Sequence, residues 1–174
     1  MHPPPSSRST RTRCASPAEM STAVLFVCTA NICRSPMAEG VLRAMAEKAP
    51  VELALEVASV GTHDYHVGKP PFPTAVEVAK ARGYDITRHL ARRIVPGDFD
   101  RYDYVLAMDR FNVASLRKIA PTRCKGKIEL LLEYGEDFHG EEVPDPYGGD
   151  RPDFVRALDM IEDGCRGVLH LLAR

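Results

Sequence analysis

Apolar residues along the chain fall into short continuous runs and into spaced stripes, and the two patterns alternate. The run AVLFV at 23–27 reads as a buried strand. A polar turn from Cys28 to Arg34 follows, and over 35–48 Met37, Val41, Leu42 and Met45 recur at helical spacing. Ser35 is predicted to cap this helix, with Pro36 at its first position. Residues 53–60 read as a second strand, 73–82 as a helix stopped by Gly83, and 104–108 as a third strand. Residues 111–119 read as helix and 127–131 as a fourth strand, and 153–172 carry Phe154, Leu158, Ile161, Val168 and Leu172 at helical spacing.

Strands alternating with helices predict an α/β fold: one parallel sheet, covered on both faces and joined by right-handed crossovers. Ligands in such folds sit beyond the carboxyl ends of the strands. The loop at 28–34 follows the first strand and the turn-rich segment 144–149 follows the fourth, so both are expected at that edge. Residues 1–20, rich in Pro, Ser, Thr and Arg without periodicity, read as a disordered leader. Met20 just before the first apolar run offers a second reading, a start assigned too far upstream. The domain is placed at 21–174, with no internal repeat.

Length and charge narrow the function classes. The chain has 174 residues, 44% of them hydrophobic, and a formal net charge of −1, which suits one domain with one adequate core. No long basic run marks a nucleic-acid partner, and no apolar stretch approaches the roughly 20 residues that cross a bilayer. The expectation is a soluble cytoplasmic protein without nucleic-acid or membrane partners; the sequence leaves the oligomeric state open. Five cysteines, an odd number, argue against a disulfide framework and for reduced thiols.

The stretch VLFVCTANICRSP then gains meaning from its placement. Cys28 and Arg34 are separated by five residues, between a buried strand and a helix start, where backbone N–H groups lack partners and the helix dipole favours anions. Such a loop is able to fold its amides around phosphate oxygens while Arg34 offers a planar fork. The same positive field favours a thiolate at Cys28, and Ser35 is placed to donate to its sulfur. In-line attack on phosphorus would give a phosphocysteine, and this chemistry calls for neither a metal nor a cofactor. The leaving group needs a proton donor, and Asp145, held between Pro144 and Pro146 in EEVPDPYGGD, is the first choice. Asp137 and Glu141 are weaker candidates.

Three motifs together resemble the low-molecular-weight protein tyrosine phosphatase family: CTANICRSPMAE its nucleophile loop and first helix, SVGTHDYHVGKP a segment bordering its pocket, and DPYGG its general-acid loop. The resemblance spans about residues 22–172 and implies a three-layer flavodoxin-like fold with a four-stranded parallel sheet. It implies Cys28 as nucleophile, Arg34 as phosphate clamp and Asp145 as general acid and base, acting on phosphotyrosine-containing protein substrates. Thr29, Ala30, Asn31, Ile32, Cys33 and Ser35 would surround the phosphate, Asn31 bracing the loop and Cys33 pairing reversibly with Cys28 on oxidation. Tyr65 and Tyr147 would line the pocket walls. Ala30 stands where the family usually has glycine, which matters if that position needs a positive φ. Gly148 stands where some members carry a second aromatic.

Plainer readings exist beside these. Cys28 read alone is a buried thiol, Asp145 a turn residue before a proline, and Tyr65 and Tyr147 half-buried aromatics. Cys14, Cys124 and Cys165 read as structural, Arg92 and Arg93 as a solvated face. His63 and His66 sit three apart, but no Cys-x-x-Cys or HExxH pattern exists, so no metal site is expected. Among functional rivals, a phosphoarginine phosphatase shares the architecture, but that group carries threonine where this chain has Ile32 and phenylalanine where it has Tyr147. An arsenate reductase needs a relay pair of cysteines. A binding module with an inactive site is the non-enzymatic alternative.

Overall fold

The computed structural model describes residues 21–174, so the readings of residues 1–20 and of Cys14 lie outside the described residues. The chain runs β1 (Thr22–Cys28), α1 (Arg34–Glu47), β2 (Leu55–Gly61), α2 (Pro73–Ala81), a single turn α3 (Asp98–Arg101), β3 (Tyr104–Ala107), α4 (Arg110–Ile119), β4 (Ile128–Leu130) and α5 (Arg151–Leu172). All four strands are parallel, in the order β2-β1-β3-β4. This is the doubly wound flavodoxin-like order, whose crossovers change direction at β1.

The period-2 alternation of β1 explains both cores. Val24 and Phe26 point to one face, where Met37, Val41 and Leu42 of α1 meet Phe154, Leu158 and Ile161 of α5. Ala23, Leu25 and Val27 point to the other, against Phe99, Val105 and Leu116. A strand buried on both faces must read as a continuous apolar run. No helix among the described residues is long and apolar enough to cross a membrane.

Most predicted elements stand within two residues of their expected ends; α3 and two 3-10 turns, Thr122–Lys127 and Leu131–Glu133, were not foreseen. Two expectations need correction. Cys33, not Ser35, occupies the N-cap of α1, without a side-chain cap. The fully buried Ser35 hydroxyl turns back toward Cys28 and Asn31 instead. Arg92 is no free surface charge: its guanidinium bonds both oxygens of buried Asp98, each at 2.9 Å, and its backbone N–H donates to Asn31.

Candidate active site

Cys28 is the last residue of β1, in register with Gly61 of β2, so its side chain sits at the carboxyl edge of the sheet at the switch point. The loop behind it is tied down by Thr62 N–H to Cys28 O and His63 N–H to Thr29 O, each at 2.9 Å, and by Phe72 N–H to Ile32 O at 2.8 Å. Gly61 permits this approach: a Cβ there would lie 2.7 Å from Thr29 O and 3.0 Å from His63 O, both rigid backbone. Among the described residues no protein acceptor takes the N–H groups of Thr29, Ala30, Ile32 or Cys33. Unpaired donors gathered on one loop form an anion nest.

Asn31 bends that loop. It is the only described non-glycine residue with positive φ, 59°, a region asparagine tolerates; Ala30, where the family's glycine was at issue, is not in that region. The Asn31 amide is fully buried and fully paired. Nδ2 donates to Ser35 Oγ at 2.8 Å and Ser59 Oγ at 3.1 Å, while Oδ1 accepts from Arg92 N–H and His89 Nε2, both at 3.0 Å. Since a backbone N–H can only donate, the Arg92 bond fixes which amide atom is the oxygen. The chain of contacts continues from Ser59 Oγ to Glu39 Oε2 at 2.6 Å, with His89 Nδ1 3.4 Å from the same carboxylate. Burial pushes the Glu39 carboxyl up, but hydrogen bonds from His89, Ser59 and Arg43 outweigh it and hold it below the ordinary range.

At the cavity, Cys28 Sγ lies 3.0 Å from Ser35 Oγ and accepts from Asn31 N–H at 3.3 Å. Ser35 also reaches Val60 O at 3.3 Å. One hydroxyl proton serves two states: with a thiol, Cys28 donates to Ser35 and Ser35 to Val60; with a thiolate, the Ser35 proton turns to sulfur. Cys33, 3% exposed, lines the same cavity, and its thiol is pushed up by burial, then by Cys28 and Asp145.

Arg34 is 2% exposed yet charged. Its Nη1 donates to Asp109 Oδ2 at 2.6 Å and to Val143 O at 2.9 Å, and Nη2 stands 3.7 Å from Asp145 Oδ2. Burial works against the guanidinium, but Cys28, Asp109 and Asp145 together raise its pKa above the ordinary value. Asp109 is also the N-cap of α4, its Oδ1 accepting from Asn112 N–H at 2.8 Å, so one carboxylate fixes both a helix and the Arg34 guanidinium. Asn112 extends this brace, donating to Thr29 Oγ1 at 3.1 Å.

Asp145 is half exposed, with Oδ1 accepting from Tyr147 N–H at 3.2 Å. Its loop is anchored by Val143 N–H to Met108 O at 2.9 Å, at the end of β3, and upstream by buried Asp163 of α5, which accepts from the N–H groups of Glu136, Asp137 and Phe138. Tyr147 meets Phe72 edge-on at 5.6 Å, and Phe72 stacks on core Phe154 at 5.7 Å, so this wall is braced from the core.

Cys28, Thr29, Ala30, Ile32, Cys33, Arg34, Tyr65, Asp145 and Tyr147 thus line one cavity of about 230 Å³, together with His66. Asn31 and Ser35 back the loop from behind, and neither Asp137 nor Glu141 reaches the cavity. Sequence reasoning missed Asp109, Asn112, Ser59, His89 and Glu39. Asp109 carried a signal, an Asp between the third strand and a helix start at the same sheet edge. The others converge only through tertiary folding.

A family model described as low molecular weight phosphotyrosine protein phosphatase matches residues 23–174. The chain is 39% identical over 146 residues to the low molecular weight protein-tyrosine-phosphatase YfkJ of Bacillus subtilis, covering 84% of this chain and 92% of that one. It is 42% identical over 151 residues to the low molecular weight phosphotyrosine protein phosphatase of Schizosaccharomyces pombe, covering 86% and 96%. Its fold is similar to the crystal structure of a protein tyrosine phosphatase from Entamoeba histolytica with Hepes in the active site, at TM-score 0.84 and 35% identity, covering 88% and 97%.

Proposed function

This chain belongs to the low molecular weight phosphotyrosine protein phosphatase family, and from that premise we propose that it hydrolyses protein phosphotyrosine through a phosphocysteine formed on Cys28. The observation that carries the reading is the convergence of Cys28, Arg34 and Asp145 on one cavity whose loop amides are unpaired. In the first step the Cys28 thiolate attacks phosphorus, the S–P bond forms as the P–O bond to tyrosine breaks, and Asp145 gives its proton to the leaving oxygen. Loop N–H groups and Arg34 hold the three equatorial oxygens. In the second, Asp145 takes a proton from water as that water attacks phosphorus, the S–P bond breaks, and inorganic phosphate leaves with the thiolate restored. Ser35, already 3.0 Å from sulfur, steadies the thiolate at both ends of the cycle.

Tyr65 and Tyr147 on the cavity walls support an aryl ester, since an aromatic ring stacks there, and Ile32 at the loop agrees with phosphotyrosine over phosphoarginine. An arsenate reductase relay has poor support: Cys124 and Cys165 are buried in opposite cores and neither lines the cavity.

The test is phosphate release from phosphotyrosine, phosphoserine and phosphoarginine peptides in chelator-containing buffer, for wild type, Cys28→Ser and Asp145→Ala. Release selective for phosphotyrosine and abolished by Cys28→Ser is expected. Asp145→Ala should slow aryl phosphates by about 10²- to 10⁴-fold, most for poor leaving groups. Preference for phosphoarginine would overturn the substrate, and equal losses across leaving groups would remove Asp145 as the acid.

A further inference from the structure

Three aromatic rings stand in a row that leads out from the wall of the phosphate cavity. Tyr65 stacks on His63 with centroids 4.9 Å apart and planes 23° apart, and His63 stacks on Phe111 at 6.0 Å and 11°. Tyr65 is 65% and Phe111 60% exposed, and neither belongs to either hydrophobic core. Apolar rings held in water gain nothing for the fold, and Phe111 points away from the inner side of α4, where Leu116 is buried.

The row is also fixed in place. The His63 N–H donates to Thr29 O of the nucleophile loop at 2.9 Å, and its Nδ1 lies 2.7 Å from Thr62 Oγ1, so the imidazole is committed as a flat spacer. Phe111 sits two residues beyond Asp109, the carboxylate that holds Arg34. The row is continuous with the cavity because Tyr65 lines both. The opposite wall, Tyr147, packs on Phe72 toward the core and meets His66, itself a residue of the cavity, at 6.1 Å, so among the described aromatic contacts the row leading away from the cavity lies on the His63 side.

We propose that His63, Tyr65 and Phe111 form a subsite for an apolar, preferentially aromatic, side chain one to three residues from the phosphotyrosine on one side of a protein substrate. The proposal rests on the phosphotyrosine reading. The occupant follows from continuity and reach: with the phosphorylated ring beside Tyr65, an extended chain advances about 3.3–3.6 Å per residue, and ring steps of 4.9 and 6.0 Å lie within the next few residues. The stepped, nearly parallel rings offer their edges and an outer ring face, against which a substrate aromatic packs edge-on or offset-stacked.

The experiment measures kcat/KM for phosphotyrosine peptides of equal charge carrying Phe, Leu or Gly at each position from three residues before to three after the phosphotyrosine, with free phosphotyrosine alongside. Phe is expected to exceed Gly by about 2- to 10-fold at neighbouring positions on one side, mainly through KM. Phe111→Ser should erase that preference and Phe111→Tyr should keep it. Hydrolysis of free phosphotyrosine with no positional preference, or a preference that survives Phe111→Ser, overturns this subsite alone. Failure of wild type on every phosphotyrosine substrate overturns the catalytic reading and this one with it. Self-association of wild type that Phe111→Ser abolishes, without positional preference, would make a second copy of the chain the occupant and overturn the proposal.

Discussion

Replacing Asn31 by alanine removes a small polar side chain from the turn of the Cys28–Arg34 loop, and its cost follows from the contacts. Four hydrogen bonds disappear at once, two of them buried and two partly buried. Ser35 and Ser59 keep other partners, in Val60 O and Glu39, so those two losses are worth about 0.5–1.5 kcal/mol each. The Arg92 N–H is left without its acceptor, worth about 1–3 kcal/mol. His89 still reaches Asn31 O at 3.3 Å, so that term is small. Alanine at a φ of 59° adds about 1–2 kcal/mol. Allowing for non-additivity, the total is about 4 kcal/mol against the roughly 5–15 kcal/mol stability of a typical domain. Urea unfolding followed by circular dichroism, suited to a chain without tryptophan, measures it. Asn31→Gly loses the same bonds without the backbone strain and should be about 1 kcal/mol more stable than Asn31→Ala. An alanine variant within 1 kcal/mol of wild type, or a glycine variant less stable than alanine, would refute the reasoning.

Two further outcomes are expected. Asp109→Asn keeps a good helix cap but removes the charge facing Arg34, so it should lower stability by about 1–3 kcal/mol and weaken inhibition by inorganic phosphate; unchanged inhibition would show that Arg34 needs no such brace. Glu39 has a folded pKa below its usual 4.5, so its contribution is present above that pH and is lost as the pH falls through the lower folded value. Glu39→Gln should be less stable than wild type at pH 7, and the gap, read by urea unfolding, should close below about pH 4.5; an equal gap at pH 7 and pH 3 would refute it.

The extent to which this architecture was legible in the sequence tracks how local its causes are. β1 declared itself because a strand buried on both faces must be apolar throughout, and α5 because its inner stripe repeats over 22 residues. The single turn α3 carries too few residues for any period to show. Ser35 misled because a serine before Pro36 has the local signature of a cap; what pulls it inward is Cys28 at 3.0 Å and Asn31 at 2.8 Å, neither of which local propensity weighs. Arg92 misled likewise, since Asp98 and Asn31 reach it only once the segment 89–94 folds against β2. Cys28, Arg34 and Asp145 were singled out as candidates by their type and spacing, and they do line one cavity, whereas Glu39, Ser59 and His89 contact one another and leave no spacing to read.

The unequal pairing of Arg34 bears on how the proposed cycle would run. A buried guanidinium must be compensated, and Asp109 at 2.6 Å does so with little exposure to water. Asp145, at 3.7 Å and half exposed, is the weaker partner and the one on the cavity side. An entering phosphate dianion would compete for Nη2 and draw it away from its 3.7 Å contact with Asp145. In the proposed cycle, transfer of phosphorus to Cys28 with the Asp145 proton passed to the departing tyrosine would leave the Asp145 carboxylate beside the cavity that water enters. The replaceable contact would thus leave Asp145 free to serve the leaving oxygen and then the water, while Asp109, at 2.6 Å, would keep Arg34 in place throughout.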